Sequence, residues 1–470
     1  MKTYSIFRLF CGITLLVGLM MQGVYAYSGK DSRNGECHPS QGTIRVLVVF
    51  AEVTGDPNYN NSTWPWEAGK MPPDADKLFD TKLFVLGGEL VTNDNDRLLL
   101  PPIGPGLGLA PTKKITQFYH DASFGNLIVT GDYFPDLVKI PYSNILNGAN
   151  WDKLVMDVLS KPDSKSASGL KIPADFDAWT PTGDYLEKNN TPDGKIDNLI
   201  IIWRVNSRLS TVNGSGHWVS LAQANHAQSI YGYDFLTNVV VPHEFSHGLL
   251  GSNQYHNGGA GAGQRHFMTN VGGYGILESY NHNLRSCNAW DRYRLGWKKD
   301  KNYPNIYAHD LAGNIVNGNI TYRIPTADEL KKVATLKTDE YVLRDFITTG
   351  DAIRIQLPYL EQGGATVEPQ WIWLENHVKD SIRLYYPEGA SYPMGVRINL
   401  QIGSENFNYV DDSNMWTNYY VPFSRFGRWD FDVSRIPINR VGNGFAPTLP
   451  FIPELDSLQV ERVDYGDGRV

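Results

Sequence analysis

Residues 243–256 read HEFSHGLLGSNQYH. His243 and His247 are four apart, so on an α-helix their rings lie one turn apart on one face and can reach a single ion. Glu244 follows the first histidine and points slightly around the helix, where it can hold a metal-bound water. Metal-assisted hydrolysis needs this set. Zn²⁺ brings the water's pKa toward neutrality and polarises a scissile carbonyl, while a carboxylate takes the proton. One catalytic Zn²⁺ is therefore the expected cofactor, with Glu244 as general base. A working site needs a third ligand. Gly251 can end the helix with positive φ and turn the chain back, which brings His256 within reach. Glu278, in GILESYNH, is the rival, because some zinc hydrolases take a glutamate from a later helix. Asn253 and Gln254 lie between His247 and His256, and a neutral amide oxygen is a poor ligand for Zn²⁺.

A five-residue pattern also occurs by chance in amphipathic helices, so the elements around it matter. The apolar run Val239–Val241 precedes it, and Leu249 and Leu250 give the helix a core-facing side. TIRVLVVFAEV (43–53) is a continuous β-branched run and predicts a buried strand. Residues 54–112 are rich in Pro, Gly, Asn and Asp and predict long surface loops. ITQFYHDASFGNLIVTGDYF (115–134) predicts a helix, a turn at 123–125 and a strand. WDKLVMDVLSK (151–161) has helical spacing. TPDGKIDNLIIIWRV (191–205) is a turn running into a second buried strand, and TNVVVPHEFSHGLLG (237–251) enters the motif helix. The pattern predicts an α+β catalytic domain up to about residue 300, built on a mixed sheet. Beyond it, ITYRIP, EYVLRDF, AIRIQLP, QWIWLEN, GVRINLQI and LQVERVDY alternate apolar and polar residues between turns. They predict a β-rich, sandwich-like domain over 301–470.

Together these segments resemble the immune inhibitor A type of secreted zinc metalloproteases. VLVVFAEV is similar to that family's first strand, and ITQFYHDASFGNLIVTG to its aromatic helix followed by a Ser-Tyr-Gly turn. PDGKIDNLIII is similar to its Asp-Gly-x-x-Asp strand entry. SCNAWDRYRLGW (286–297) is similar to its Ser-Ala-Trp…Leu-Gly-Trp element, and WIWLENH (371–377) to a Leu-Glu-Asn strand. The likeness covers most of 43–300, with scattered support to about 400. It implies a zinc endopeptidase with metzincin-like topology that acts on protein or peptide substrates. In metzincins a methionine turn runs beneath the metal, and FMTNVGGYG (267–275) offers Met268 for it, with a glycine-rich surface loop the equal alternative; Tyr274 is a candidate to hydrogen-bond a transition-state oxyanion. The chain departs from the family after His247. Family members usually continue HxLGLPD plus another acid, whereas here Gly248-Leu249-Leu250-Gly251-Ser252-Asn253-Gln254 follows.

The first 26 residues have the charge and apolar pattern of a signal peptide. Lys2 and Arg8 precede FCGITLLVGLMM, and Val24-Tyr25-Ala26 offers a cleavage site. The apolar run is short for a bilayer span, which takes roughly 20 residues. The expected division is therefore 1–26 signal, 27–300 catalytic domain and 301–470 β-rich domain, in a secreted protein with no membrane association once the signal is removed. Of three cysteines, Cys11 leaves with the signal. Cys37 and Cys287 are then expected to pair in an oxidising compartment. The competing reading makes Cys37 an inhibitory thiolate at the zinc. A net charge of −8 and the lack of a basic run argue against nucleic acid as a partner.

Asp193 and Asp197 flank a glycine and are candidate Ca²⁺ ligands, but the loop lacks the acidic density of an EF-hand and a plain Asp-Gly turn is the favoured reading. His226, His266 and His282 are expected to be surface or hydrogen-bonded residues. A protease-derived binding or adhesion protein without turnover is the alternative function, with a zinc hydrolase of glycans or esters behind it. The intact Glu244 favours turnover. Oligomeric state and cleavage preference are not legible in the sequence.

Overall fold

The computed structural model describes residues 38–55, 66–80, 114–146, 151–182, 185–187, 192–204, 216–218, 221–231, 237–250, 255–256, 259–260, 275–276, 287–321, 340–356, 361–362, 365–366, 370–377, 395–402 and 419–422. It is a mixed α+β structure. The first part runs β1 (Gly42–Thr54), α1 (Lys114–Ser123), β2 (Leu127–Tyr133), β3 (Val138–Pro141), α2 (Tyr142–Leu146) and α3 (Trp151–Leu159). It continues through β4 (Thr180–Thr182), β5 (Tyr185–Glu187), β6 (Ile196–Arg204), β7 (Gly216–Trp218), β8 (Ala224–Tyr231), α4 (Thr237–Leu250), β9 (Tyr255–His256), β10 (Gly259–Ala260) and α5 (Ala289–Leu295).

One sheet organises this part, in the order β2-β1-β6-β8-β7, with β3 also pairing with β1. β1 runs parallel to β2, β3 and β6, and β6 parallel to β8. β7 alone is antiparallel, on β8. Successive side chains of a strand point to opposite faces. Val46, Val48, Phe50, Ile200, Ile202 and Ile230 line one face and pack against Phe118 and Tyr119 of α1, Val241, Phe245 and Leu249 of α4, and Trp290 of α5. Leu47, Val49, Leu199, Ile201 and Trp203 line the other, against Val155, Met156 and Leu159 of α3. With both faces covered, the middle of a strand is almost wholly apolar, which is why 46–51 of β1 and 199–203 of β6 read as unbroken hydrophobic runs. Trp203 Nε1 donates to Ser229 Oγ (3.2 Å), and that hydroxyl donates to Asp152, tying α3 to the sheet.

The second part contains β11 (Tyr307–His309), β12 (Ile315–Asn317), β13 (Asn319–Thr321), α6 (Phe346–Thr349), β14 (Ala352–Gln356), β15 (Glu361–Gln362), β16 (Ala365–Thr366), β17 (Gln370–His377), β18 (Gly395–Ile402) and β19 (Tyr419–Pro422). A five-stranded sheet, β13-β14-β17-β18-β19, is antiparallel except at β13–β14. Of the predicted strand runs, AIRIQLP, QWIWLEN and GVRINLQI form β14, β17 and β18, and LQVERVDY lies outside the described residues. EYVLRDF differs from expectation. Asp345 caps a helical turn there, its side chain accepting from Thr348 N–H (3.1 Å), and Gly350 closes the turn at φ +81°.

Packing is continuous across residue 300. The cluster that holds Ile44 and Phe118 also holds Ile306, Phe346, Ala352 and Trp373. Arg292 of α5 donates to the carbonyls of Ala122 (2.8 Å), Phe346 (2.6 Å) and Ile347 (3.1 Å), with the rings of Phe124 and Phe346 4.0 and 4.3 Å from its guanidinium carbon. Glu375 of β17 accepts the Ala289 N–H (2.6 Å) in the first turn of α5, where a negative charge also meets the positive end of the helix dipole. The predicted turn at 123–125 is present, with Phe124 at φ +57° and Gly125 at φ +74°. Among the described residues no helix is long and apolar enough to cross a membrane.

Candidate active site

The HEFSH segment lies on α4, immediately after Pro242. Val241, Phe245, Gly248 and Leu249 face the core, all buried. Positions 243 and 247 fall about half a turn away from that side, one above the other. His243 is half-buried and Glu244 is buried. The side chain of His247 lies outside the described residues.

Four neighbours hold the helix. Pro242 has no N–H to donate into the previous turn. Its carbonyl accepts from the Tyr119 hydroxyl of α1 at 2.7 Å, and the same hydroxyl lies 2.6 Å from Ser246 Oγ. Burial pushes the Tyr119 phenol up, so it stays protonated. Gln228 Nε2 of β8 donates to the Glu244 carbonyl. Arg294 of α5 donates to the Leu250 carbonyl (3.2 Å), placing a cation at the negative end of the helix. The fourth neighbour is His38, which leads into β1. Its backbone N–H donates to the Gly248 carbonyl, and its ring stacks on Phe245 with centroids 4.7 Å apart. Its Nε2 lies 2.7 Å from Asn198 Nδ2 of β6, and the His226 ring of β8 is 4.2 Å away.

Asn198 and His226 are cross-strand neighbours, and Gln228 follows on the same face. Beneath α4 the sheet therefore presents a polar layer in place of the aliphatic one. His226 is buried, not a surface residue, and burial lowers its pKa to about 3. Burial, and then the charge of His226, lowers His38 well below the ordinary imidazole value. Sequence reasoning missed His38, Asn198 and Gln228. One signal was present: Gly248 sits inside a helix, where glycine costs about 1 kcal/mol against alanine unless something packs close.

His256 lies on β9, which pairs with β10 in the register His256 opposite Gly259. Residues 251–254, which join α4 to β9, and the His256 side chain lie outside the described residues. Met268, Tyr274, Glu278, His266 and His282 also lie outside them. Ile276 is buried and its N–H donates to Asp291 Oδ2 (2.9 Å), which ties that residue to the start of α5. Cys37 lies outside the described residues. Cys287 is buried with Sγ 3.6 Å from the Ala122 carbonyl, and burial pushes its thiol up to about 12.

Asp193 and Asp197 occupy a braced turn. Asp193 Oδ1 accepts from Lys195 N–H (2.9 Å), and Gly194 has φ +83°. Asp197 accepts from the N–H groups of Ala178 (2.7 Å) and Trp179 (3.0 Å), while Asp177 accepts from those of Asp193 and Gly194. Burial nevertheless pushes Asp197 up to about 8. Among the described residues, no three His, Cys, Asp or Glu side chains are grouped to hold a metal ion. Of the expected zinc set, only His243 and Glu244 have described side chains. Compared with known proteins, the chain matches no protein-family model and no curated protein.

Proposed function

We propose that this protein is a secreted zinc-dependent endopeptidase of the immune inhibitor A type. In this reading it has a metzincin-like catalytic domain and a sandwich-like C-terminal domain, and is exported by residues 1–26. His243, His247 and His256 hold one Zn²⁺, and Glu244 is the general base. The observation that carries the reading is the placement of HEFSH on a single helix, with position 243 on the side away from the core and Glu244 buried. Two imidazoles one helical turn apart, with a carboxylate beside the first, suit Zn²⁺ in ligand type and spacing.

When bound, Zn²⁺ supplies Lewis acidity toward a water and toward the scissile carbonyl. Glu244 takes the proton that the water loses and returns it to the leaving amine. Its buried position keeps bulk water from competing for that proton. Tyr274 is the candidate to hydrogen-bond the developing oxyanion, and Met268 the candidate to pack beneath the histidines. A protein substrate is favoured by β7. Among the described residues it is the sheet's antiparallel edge and lies against α4, and an edge strand offers its backbone groups to an extended peptide. Cys37 and Cys287 are proposed to pair as a disulfide. Supporting this, the segment after Cys37 is bonded to the chain just beyond α5, where Trp297 Nε1 donates to the Ser40 carbonyl (2.7 Å). Digestion of casein that is abolished by a chelator and by Glu244→Gln tests the function.

A further inference from the structure

The chain just before β1 reaches under the motif helix at His38, and the contact is fitted from both sides. The ring lies on Phe245, which stands between the residue pair His243–Glu244 and His247. A Cβ built on Gly248 would come within 3.0 Å of His38 Cγ and closer still to Cδ2. Real Cβ atoms do not approach that closely, so Gly248 and the His38 ring fill one space between them. The backbone adds a tie, from His38 N–H to the Gly248 carbonyl, in the last turn of α4. On its far side the ring is held by Asn198 of β6 and faces His226 of β8. His38 is buried, so these contacts are made without water.

We infer that His38 is a positioning residue for the zinc-binding turn of α4, a strut between the sheet and Phe245–Gly248 that sets where His243, Glu244 and His247 stand. The inference rests on the protease reading for its catalytic consequence, but not for the contact itself. Ligands on one helix share its position, so a shift of one ångström displaces both imidazoles and the base together. Displacements of that size cost on the order of 10²-fold in rate. The strut also makes residues 38–41 part of the catalytic structure. Their removal should disable the enzyme, whereas loss of an inhibitory leader would activate it.

The test uses the full mature chain as His38→Ala, His38→Gln, Gly248→Ala and the double variant His38→Ala/Gly248→Ala. Three quantities are read: amide hydrogen exchange over 241–250 without metal, zinc affinity by competition with a chromophoric chelator, and kcat and KM separately. His38→Ala should speed exchange over 241–250 about tenfold and weaken zinc by about 10- to 100-fold, the range for residues that support metal ligands. It should lower kcat and leave KM nearly unchanged. His38→Gln, whose amide oxygen reaches the place of Nε2, should recover part of each. Gly248→Ala should do similar damage in the native background and little when the ring is absent, because the space is then open. If His38→Ala fails to fold, Gly248→Ala probes the same contact from the helix side.

Unchanged exchange over 241–250 in His38→Ala would overturn the inference, as would fully additive effects in the double variant. A wild-type chain that neither binds zinc nor cleaves protein would sink the protease reading alone, since the exchange measurement still decides the strut.

Discussion

The hydroxyl of Tyr119 donates to the Pro242 carbonyl at 2.7 Å and lies 2.6 Å from Ser246 Oγ. A single phenol on α1 thus bridges the residues that precede His243 and His247. It fixes the rotation of α4 about its own axis, and with it the side of the helix on which positions 243 and 247 fall. Tyr119→Phe keeps the ring in the core and removes only this bridge. It should cost about 1–2 kcal/mol of stability, the penalty for a buried partner left unsatisfied, and weaken zinc binding. Denaturant unfolding and metal titration read the two effects, and unchanged zinc affinity would show that Tyr119 supports the fold alone.

The two buried imidazoles beneath α4 predict acid lability. His226 is lowered to about 3 by burial, and His38 well below its ordinary value by burial and then by His226. Both stay neutral in the fold, whereas in the unfolded chain they protonate below about pH 6.5. Their contribution is therefore complete above pH 6.5 and is lost as pH falls from there toward 3. His226 alone should cost the fold on the order of 3 kcal/mol between pH 6.5 and 4, with a further loss from His38, beyond what the carboxylates account for. His226→Gln removes one titrating group and should flatten the profile. A variant with the native slope would remove His226 from the account.

Much of the scaffold was legible because burial on both faces leaves the middle of a strand almost wholly apolar. β1 and β6 announce themselves as unbroken β-branched runs, and the helical spacing of 241, 245 and 249 does the same for α4. The polar layer was not legible. His38 meets Asn198 across 160 positions of sequence, and ANHAQS in β8 shows no apolar alternation to mark it as buried. EYVLRDF misled because its alternation is that of a strand, while Asp345 and Gly350 impose a capped turn. Spacing alone suggests His243, Glu244 and His247 as a candidate set, but cannot suggest the third ligand that the proposal needs. It depends on where a turn of chain arrives, which spacing does not encode.

His256 is expected to be that ligand. His256→Ala should lose stoichiometric zinc at dilute metal, while Glu278→Ala retains it, as measured by metal analysis after gel filtration. The opposite pattern transfers the role to Glu278.

Cys37 and Cys287 are expected to be joined in the exported protein. Denatured, non-reduced protein should give no reaction with a thiol reagent, and reduction should release two thiols. Two thiols before reduction would exclude the pair and return Cys37 to its rival role as a zinc-binding inhibitor.

The central claim is zinc-dependent hydrolysis with Glu244 as the base, and casein digestion by the purified mature chain tests it most directly. The account predicts digestion by the native protein, its loss on chelation and its return on adding Zn²⁺. It also predicts that Glu244→Gln binds zinc in the native amount yet digests at least about 10²-fold more slowly. Digestion that survives chelation, or a Glu244→Gln variant as active as the native protein, would contradict it.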